Sequence, residues 1–456
     1  MVQDDKVVLF EQTPIPKAIS KLAIPTILSS LVMVLYNLAD TFFVGMLNNP
    51  IQNAAVTLAA PVLLAFNAVN NLFGVGTSSM MSRAMGRKDY QTVYHSSAFG
   101  FYCALFSGIL FSLICLIFYN PLLHLLGANE LTMQATSDYL FWTVICGAIP
   151  AILNVVLAYL VRSEGASLHA SLGTMSGCFL NMILDPIFIL PWGLNLGAAG
   201  AGLATFISNC FACFYFACLL FRKRGKTYVS VSPKHFTFNK KIAMGIFGVG
   251  IPASIQNLLN VTGMTILNNF TAGFGADAVA AMGIVQKINM VPVNIALGFS
   301  QGVMPLVSYN YASGNIKRMK KSIILAYKIC LSFLFVATLG YFLGARQIMT
   351  LFMNNPIIVD YGTQLLRGYC LGLPFLCIDF MAVGVFQAVG MGTYALCFAI
   401  MRKIVLEIPL LYLLNGLFPL FGLAYAQPIA ELMLAITAFI ILTRLFKKLE
   451  KNTVKS

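Results

Sequence analysis

Five carboxylic acids, Asp40, Asp185, Asp379, Glu407 and Glu431, stand inside stretches of sequence that are otherwise almost wholly apolar. Placing a charge at the centre of a bilayer costs about 2.5–3.5 kcal/mol on insertion scales, so each acid in such a setting needs a partner or a task. Asp40 closes the run Tyr36-Asn37-Leu38-Ala39-Asp40, in which Tyr36, Asn37 and Asp40 turn to one side of a helix. Asn181 and Asp185 are one helical turn apart. Pro186 lacks an N–H, which leaves the carbonyl of Met182 without its helical partner and free as an oxygen ligand. Thr205 and Asn209, again one turn apart, form a further polar stripe. Two carboxylates, two amides, a hydroxyl and a loose carbonyl make an oxygen-rich site. Na⁺ would be held there by Asp40, Asn181, Asp185 and Thr205, with Tyr36 and Asn37 beside them, and the paired carboxylates suit a proton equally well. A plainer reading makes the same residues hydrogen-bonding links between helices.

A second set is looser. Asp379 is accompanied by Gln256 and Asn260 at i and i+4 and by Gln286 next to Lys287; with Asn154, these polar residues are the candidates for contacting a substrate. Asp379 would hold an organic cation or a second proton unless Lys287 simply neutralises it. Glu407 follows Lys403 at the spacing of an i, i+4 ion pair. Arg162 and Glu164 read as a solvated helix end in preference to a gate. The histidines, His95, His124, His169 and His235, are scattered, and neither HExxH nor paired Asp-rich motifs occur, which argues against an enzyme. The 11 cysteines lie in or at the ends of apolar runs without metal-ligand spacing, so they read as buried thiols, and no cofactor is implied.

The elements that must position these residues are membrane helices. Of 456 residues 59% are hydrophobic and only 10% charged, outside the range of soluble globular chains. Runs long enough to cross a hydrocarbon core fall at approximately 19–46, 53–79, 95–118, 136–161, 167–190, 197–221, 243–272, 277–305, 321–345, 361–388, 393–419 and 422–444. Their length excludes barrel strands, so the fold class is an all-α membrane protein with twelve spans. With both termini cytoplasmic, all of the 29 Lys and Arg except Lys287, Arg346 and Arg367 fall on the inner side, Arg402 and Lys403 included. The net charge of +14 is then explained by anionic inner-leaflet lipid and not by nucleic acid. The polar, acidic start (Asp4, Asp5, Glu11) does not read as a cleavable signal.

The halves echo each other. Ile24-Pro25 corresponds to Ile251-Pro252, SRAMGRKD from Ser82 to YNYASGNIKR from Tyr309, GAIP at Gly147 to GLP at Gly372, and Asp185-Pro186 to Ile408-Pro409. The expected organisation is two six-helix lobes, 1–230 and 231–456. Each starts on the same side, a parallel repeat about the membrane normal. Two such lobes enclose a cavity able to open to either face, the geometry of alternating access. The 21 Met and 36 Phe supply deformable walls suited to flat hydrophobic cations.

NLADTFFVG at Asn37, FGVGTSSMMSRAMGRKD at Phe73, NMILDPIFI at Asn181 and LGAAGAGLAT at Leu196 resemble the multidrug and toxic compound extrusion transporters, and the similarity runs from Ile24 to the last span. The resemblance implies efflux of organic cations by antiport against H⁺ or Na⁺; a monomer in the bacterial plasma membrane is expected. It also implies a coupling-ion site at Asp40, Asn181, Asp185 and Thr205. Some relatives carry a glutamate on the seventh helix as part of a carboxyl-lobe cation site, where this chain has Gln256. The alternative transport reading, flipping a lipid-linked saccharide, calls for a cavity lined by Arg and Lys, and membrane-depth cations are few.

Overall fold

The computed structural model describes residues 2–453, and side chains from Lys6 to Lys451; Asp4, Asp5 and Lys455 are outside the described side chains. Among the described residues the helices form twelve spans. Nine run without a sharp bend: Ile15–Met46, Pro50–Gly86 (with a π-helical turn at Asn71–Val75), Tyr90–Ile117, Ser167–Ile189, Gly197–Arg222, Lys240–Ala272, Ala276–Ala312, Ile316–Phe352 and the last, beginning at Leu423. The fourth and tenth spans are bent pairs, Met133–Ile145 with Ala148–Ser163 and Pro356–Cys370 with Leu373–Ala388, each turning through 44°. A glycine, Gly147 or Gly372, caps the second piece in both cases, followed closely by a proline, Pro150 or Pro374, that cannot donate back across the break. The eleventh span, 392–417, is interrupted by a π-helical turn, Met401–Glu407. That turn carries Arg402, Lys403 and Glu407, so charge and irregular winding coincide.

This placement corrects one expectation. Arg402 and Lys403 do not lie on the inner side of the membrane: they sit mid-span, and Arg402 is 2% exposed.

The lobes join through residues 223–239, which fold back along the third span. Tyr102 donates to the Val231 carbonyl at 2.8 Å, His95 Nδ1 meets the His235 carbonyl at 2.7 Å, and Phe236 stacks on Phe99. These histidines are fasteners. Among the described residues all 11 cysteines are free.

The whole of the first lobe and the termini-bearing half of the second share one hydrophobic core, whereas the opposite half of the second lobe (Leu267, Met282, Met349, Leu411, Leu423) packs into a core of its own. Cross-lobe hydrogen bonds lie between mid-depth, where Ser254 donates to the Ala68 carbonyl, and the end bearing both termini, where Ser79 donates to the Gln387 carbonyl and Ser308 to Ser79. Glycines permit the close approach: a Cβ on Gly250 would stand 2.0 Å from the Leu72 carbonyl oxygen, and one on Gly86 2.3 Å from that of Tyr309. The bundle is sealed at the end bearing the termini.

A short helix, Val2–Glu11, reinforces that seal. Phe10 is fully buried, stacked 4.8 Å from Tyr309, and its carbonyl accepts from Asn310 at 3.2 Å and Arg318 at 2.7 Å. Glu164 is not a solvated helix end, contrary to the sequence reading. It is 2% exposed and takes Lys6, the Thr227 hydroxyl and the Tyr228 N–H. Arg162 is likewise buried, with Nη1 3.3 Å from Gln301 Oε1 across the seam.

Candidate functional site

The fully buried Asp185 lies on the fifth span, one turn beyond Asn181. With the Asn181 amide turned so that its nitrogen faces the carboxylate, it donates to Asp185 Oδ2 at 2.8 Å while its oxygen accepts the Thr205 N–H at 3.1 Å. The opposite orientation would set oxygen against oxygen, so the network fixes the choice. Tyr36 lies beside Thr205 and Asp40. Asp40 sits close enough to Asp185 for their charges to interact, and its Oδ1 is buried without a partner.

Tyr36, Asn37, Asn181 and Thr205 line a cavity of about 310 Å³ in the first lobe, whereas Asp40 and Asp185 stand behind that wall. The cavity also exposes Asn154, whose Nδ2 donates to Asn209 Oδ1 at 2.9 Å, together with Met33 and Phe66. Asn154 therefore belongs with the first-lobe group and not with Asp379. Tyr139, buried against the acid pair, was not singled out by sequence, since nothing in the spacing of the fourth span distinguishes it. The oxygens gathered here, carboxylate, amide and hydroxyl, are chemically fit for a small hard cation or a proton.

In the second lobe Gln256 and Asn260 line a cleft of about 160 Å³ between the lobes, with Gln301, Gln387 and Phe380. Asp379 is 1% exposed and is engaged by Arg402, whose Nη1 lies 2.8 Å from Asp379 Oδ2. Lys287 is exposed, whereas the buried Asp379 is paired with Arg402, so the anticipated neutralisation comes from a different cation. Gln286 bonds Asn268 at 3.0 Å and does not line the cleft. Lys403 Nζ grips both oxygens of Glu407, at 2.8 and 2.6 Å, as the i, i+4 spacing implied. No lysine or arginine lines either cavity.

A further concavity, about 690 Å³, lies between the third span and the linker and is lined by Phe106, Ile109, Phe236 and Phe238 without any ionisable side chain other than Tyr102 and Cys103. It offers an ion nothing to bind.

Comparison with known proteins agrees with this architecture. The MatE family model matches residues 25–187 and again 252–413, once in each lobe. The chain is 34% identical over 456 residues to the multidrug export protein MepA of Staphylococcus haemolyticus, with 98% of each chain covered. It is 32% identical over 455 residues to the MepA of Staphylococcus aureus, with 99% of each covered. In fold it is similar, at TM-score 0.92 and 27% identity over 98% of both chains, to a structure described as the outward-facing conformation of a multidrug resistance MATE family transporter of the MOP superfamily. A family model matched in both halves, and relatives above 30% identity across the full length, establish that this twelve-helix, two-lobe membrane protein belongs to the MatE family of transporters.

Proposed function

We propose that the protein exports lipophilic organic cations across the plasma membrane in exchange for H⁺ or Na⁺, with both termini cytoplasmic. The described conformation is then the one open to the outside, because the sealed end is the one that bears the termini. The relatives' names, multidrug export proteins, support the substrate class. A single chain contains both lobes and both cavities, so one copy is sufficient.

One observation carries the reading: Asn181 joins a fully buried carboxylate, Asp185, to the wall of a cavity large enough for an organic molecule. An ionised pair behind that wall attracts a cation in the cavity, and the aromatic face of Phe66 adds cation–π attraction. Arrival of H⁺ or Na⁺ at Asp40 and Asp185 removes the attraction. Coupling of this kind is typically worth about 1–3 kcal/mol, five- to 150-fold in affinity.

Efflux from proteoliposomes under a pure pH gradient, compared with a pure sodium gradient, tests the exchange and identifies the ion. Asp40→Asn and Asp185→Asn are expected to abolish drug resistance while the protein still inserts. Wild-type resistance in both variants refutes the assignment.

A further inference from the structure

The second lobe contains a charge imbalance that the first-lobe site does not use. Arg402, Asp379 and Glu431 are between 1% and 2% exposed and share one buried pocket. Arg402 Nη1 is 2.8 Å from Asp379 Oδ2 but 3.8 Å from Glu431 Oε1, and Nη2 donates to Asn260 Oδ1. The neighbouring pair Lys403 and Glu407 is self-contained, because Lys403 takes both carboxylate oxygens. Against Glu431 therefore stand Asp379 and the Tyr369 phenol from the tenth span, Arg402, Lys403 and Glu407 from the eleventh, and uncharged Asn260 from the seventh. Tyr327 of the ninth span faces Asp379.

Asp379, Arg402 and Glu431 supply two anions for one cation. Glu431 Oε2 and Asp379 Oδ1 are buried without a hydrogen-bond partner, as is Arg402 Nε. An uncompensated charge at this depth is strongly unfavourable even after relaxation, and the usual resolution is neutralisation of the group. Arg402 is committed to Asp379 by the shorter contact, which leaves Glu431 as the group to be neutralised.

The cluster is also wired to the cleft between the lobes. Asn260, which receives Arg402 Nη2, lines that cleft, and so does Phe380, whose ring lies under the guanidinium at 5.3 Å. A positive ligand in the cleft supplies the missing second cation.

We propose that Asp379, Arg402 and Glu431 form a second exchange site, which holds one proton on Glu431 while the cleft is empty and releases it when an organic monocation enters. The balance is one charge for one: the Glu431 O–H bond breaks, the proton leaves to water in the cleft, and the new carboxylate pairs with Arg402 as Asp379 turns to the ligand. This deepens the export reading and rests on it for the class of ligand.

The charge count makes a discriminating test. In full-length protein carrying Asp40→Asn and Asp185→Asn, infrared spectroscopy is expected to show the carbonyl band of a protonated carboxyl group at neutral pH. Adding Glu431→Gln removes that band. Adding Asp379→Asn instead also removes it, because one carboxylate then faces one guanidinium, whereas Glu431→Asp keeps it in a protein of unchanged elution profile. With the first-lobe acids intact, a pH-indicator dye should report roughly one proton fewer released per tetraphenylphosphonium bound in Glu431→Gln than in wild type, by charge balance. A band that survives both Glu431→Gln and Asp379→Asn overturns the proposal, as does unchanged proton release in Glu431→Gln. Full resistance in Asp40→Asn and Asp185→Asn cells would instead sink the first-lobe coupling and leave this band untouched.

Discussion

Lys6 Nζ lies 2.6 Å from Glu164 Oε2, which ties the helix Val2–Glu11 to the termini-bearing end of the fourth span. Four residues on, Phe10 is fixed to the second lobe by Tyr309, Asn310 and Arg318. One short helix thus bridges both lobes at the termini-bearing end, where any motion that opens that end must part them. Truncating a fully buried phenylalanine typically costs about 3–5 kcal/mol, and here the loss falls on the sealed arrangement alone. Phe10→Ala is expected to lengthen the distance between spin labels at Arg87 and Lys317, both exposed on facing lobes. An unchanged distance distribution counts against the helix as a latch.

The glycine seam gives a second handle on the same equilibrium. A Cβ on Gly250 would meet the Leu72 carbonyl oxygen at 2.0 Å, a backbone atom that no side-chain rotation can move aside. Gly250→Ala should therefore push the seventh span off the second and favour the arrangement open at the termini-bearing end. Gly248→Ala, where the space is open, serves as the control. The distance between spin labels at Arg87 and Lys317 should be longer in the first variant than in the control, and equal distances would refute the steric account.

Asp89 caps the third span: Oδ2 accepts the Thr92 hydroxyl at 2.6 Å and Oδ1 accepts the Thr92 N–H at 3.1 Å. The hydroxyl bond foremost holds this carboxyl below its ordinary range. A group whose folded value is depressed contributes stability above its unfolded value and loses it as pH falls through the folded one. Asp89→Ala is accordingly expected to cost about 0.5–2 kcal/mol at neutral pH. The gap from wild type should close as the solution is acidified below the carboxylate range. Thermal unfolding in detergent across that range checks it, and a pH-independent gap would exclude capping by the ionised form.

The twelve spans are legible in the sequence because hydrocarbon thickness sets a length that apolar runs must meet. The eleventh span shows the limit of that reading. Arg402 looks like an inner-side cation when charges are counted along the chain, since its partners, Asp379 and Glu431, come from two other spans. Glu164 fails for the same reason: Lys6, Thr227 and Tyr228 reach it only because the amino-terminal helix and the linker fold back, and no periodicity encodes that. The first-lobe cluster was easier. Asn181 and Asp185 are one turn apart on one helix, so their proximity is local geometry. Tyr139, brought against the acids by packing alone, left no such trace.

Asn154 and Asp379 occupy corresponding places, each the seventh residue after the glycine that bends its span, yet one is neutral and the other charged. The difference follows from their neighbours. Asp379 has Arg402, with Glu431 in reserve, so Asp379→Asn leaves the guanidinium a carboxylate to pair with. Asn154 has only carbonyl oxygens to satisfy: its Nδ2 donates to Pro150 at 2.9 Å and to Asn209 Oδ1 at 2.9 Å, and no lysine or arginine lines its cavity. Asn154→Asp removes those donors and turns a carboxylate toward acceptors, leaving buried polar atoms unsatisfied at about 1–3 kcal/mol. Melting temperatures of the two purified variants should therefore separate, with Asn154→Asp the lower despite the equal and opposite change in formal charge. If Asp379→Asn proves the more damaging, Arg402 cannot be transferring to Glu431, and the two lobes differ for a reason other than the placement of that guanidinium.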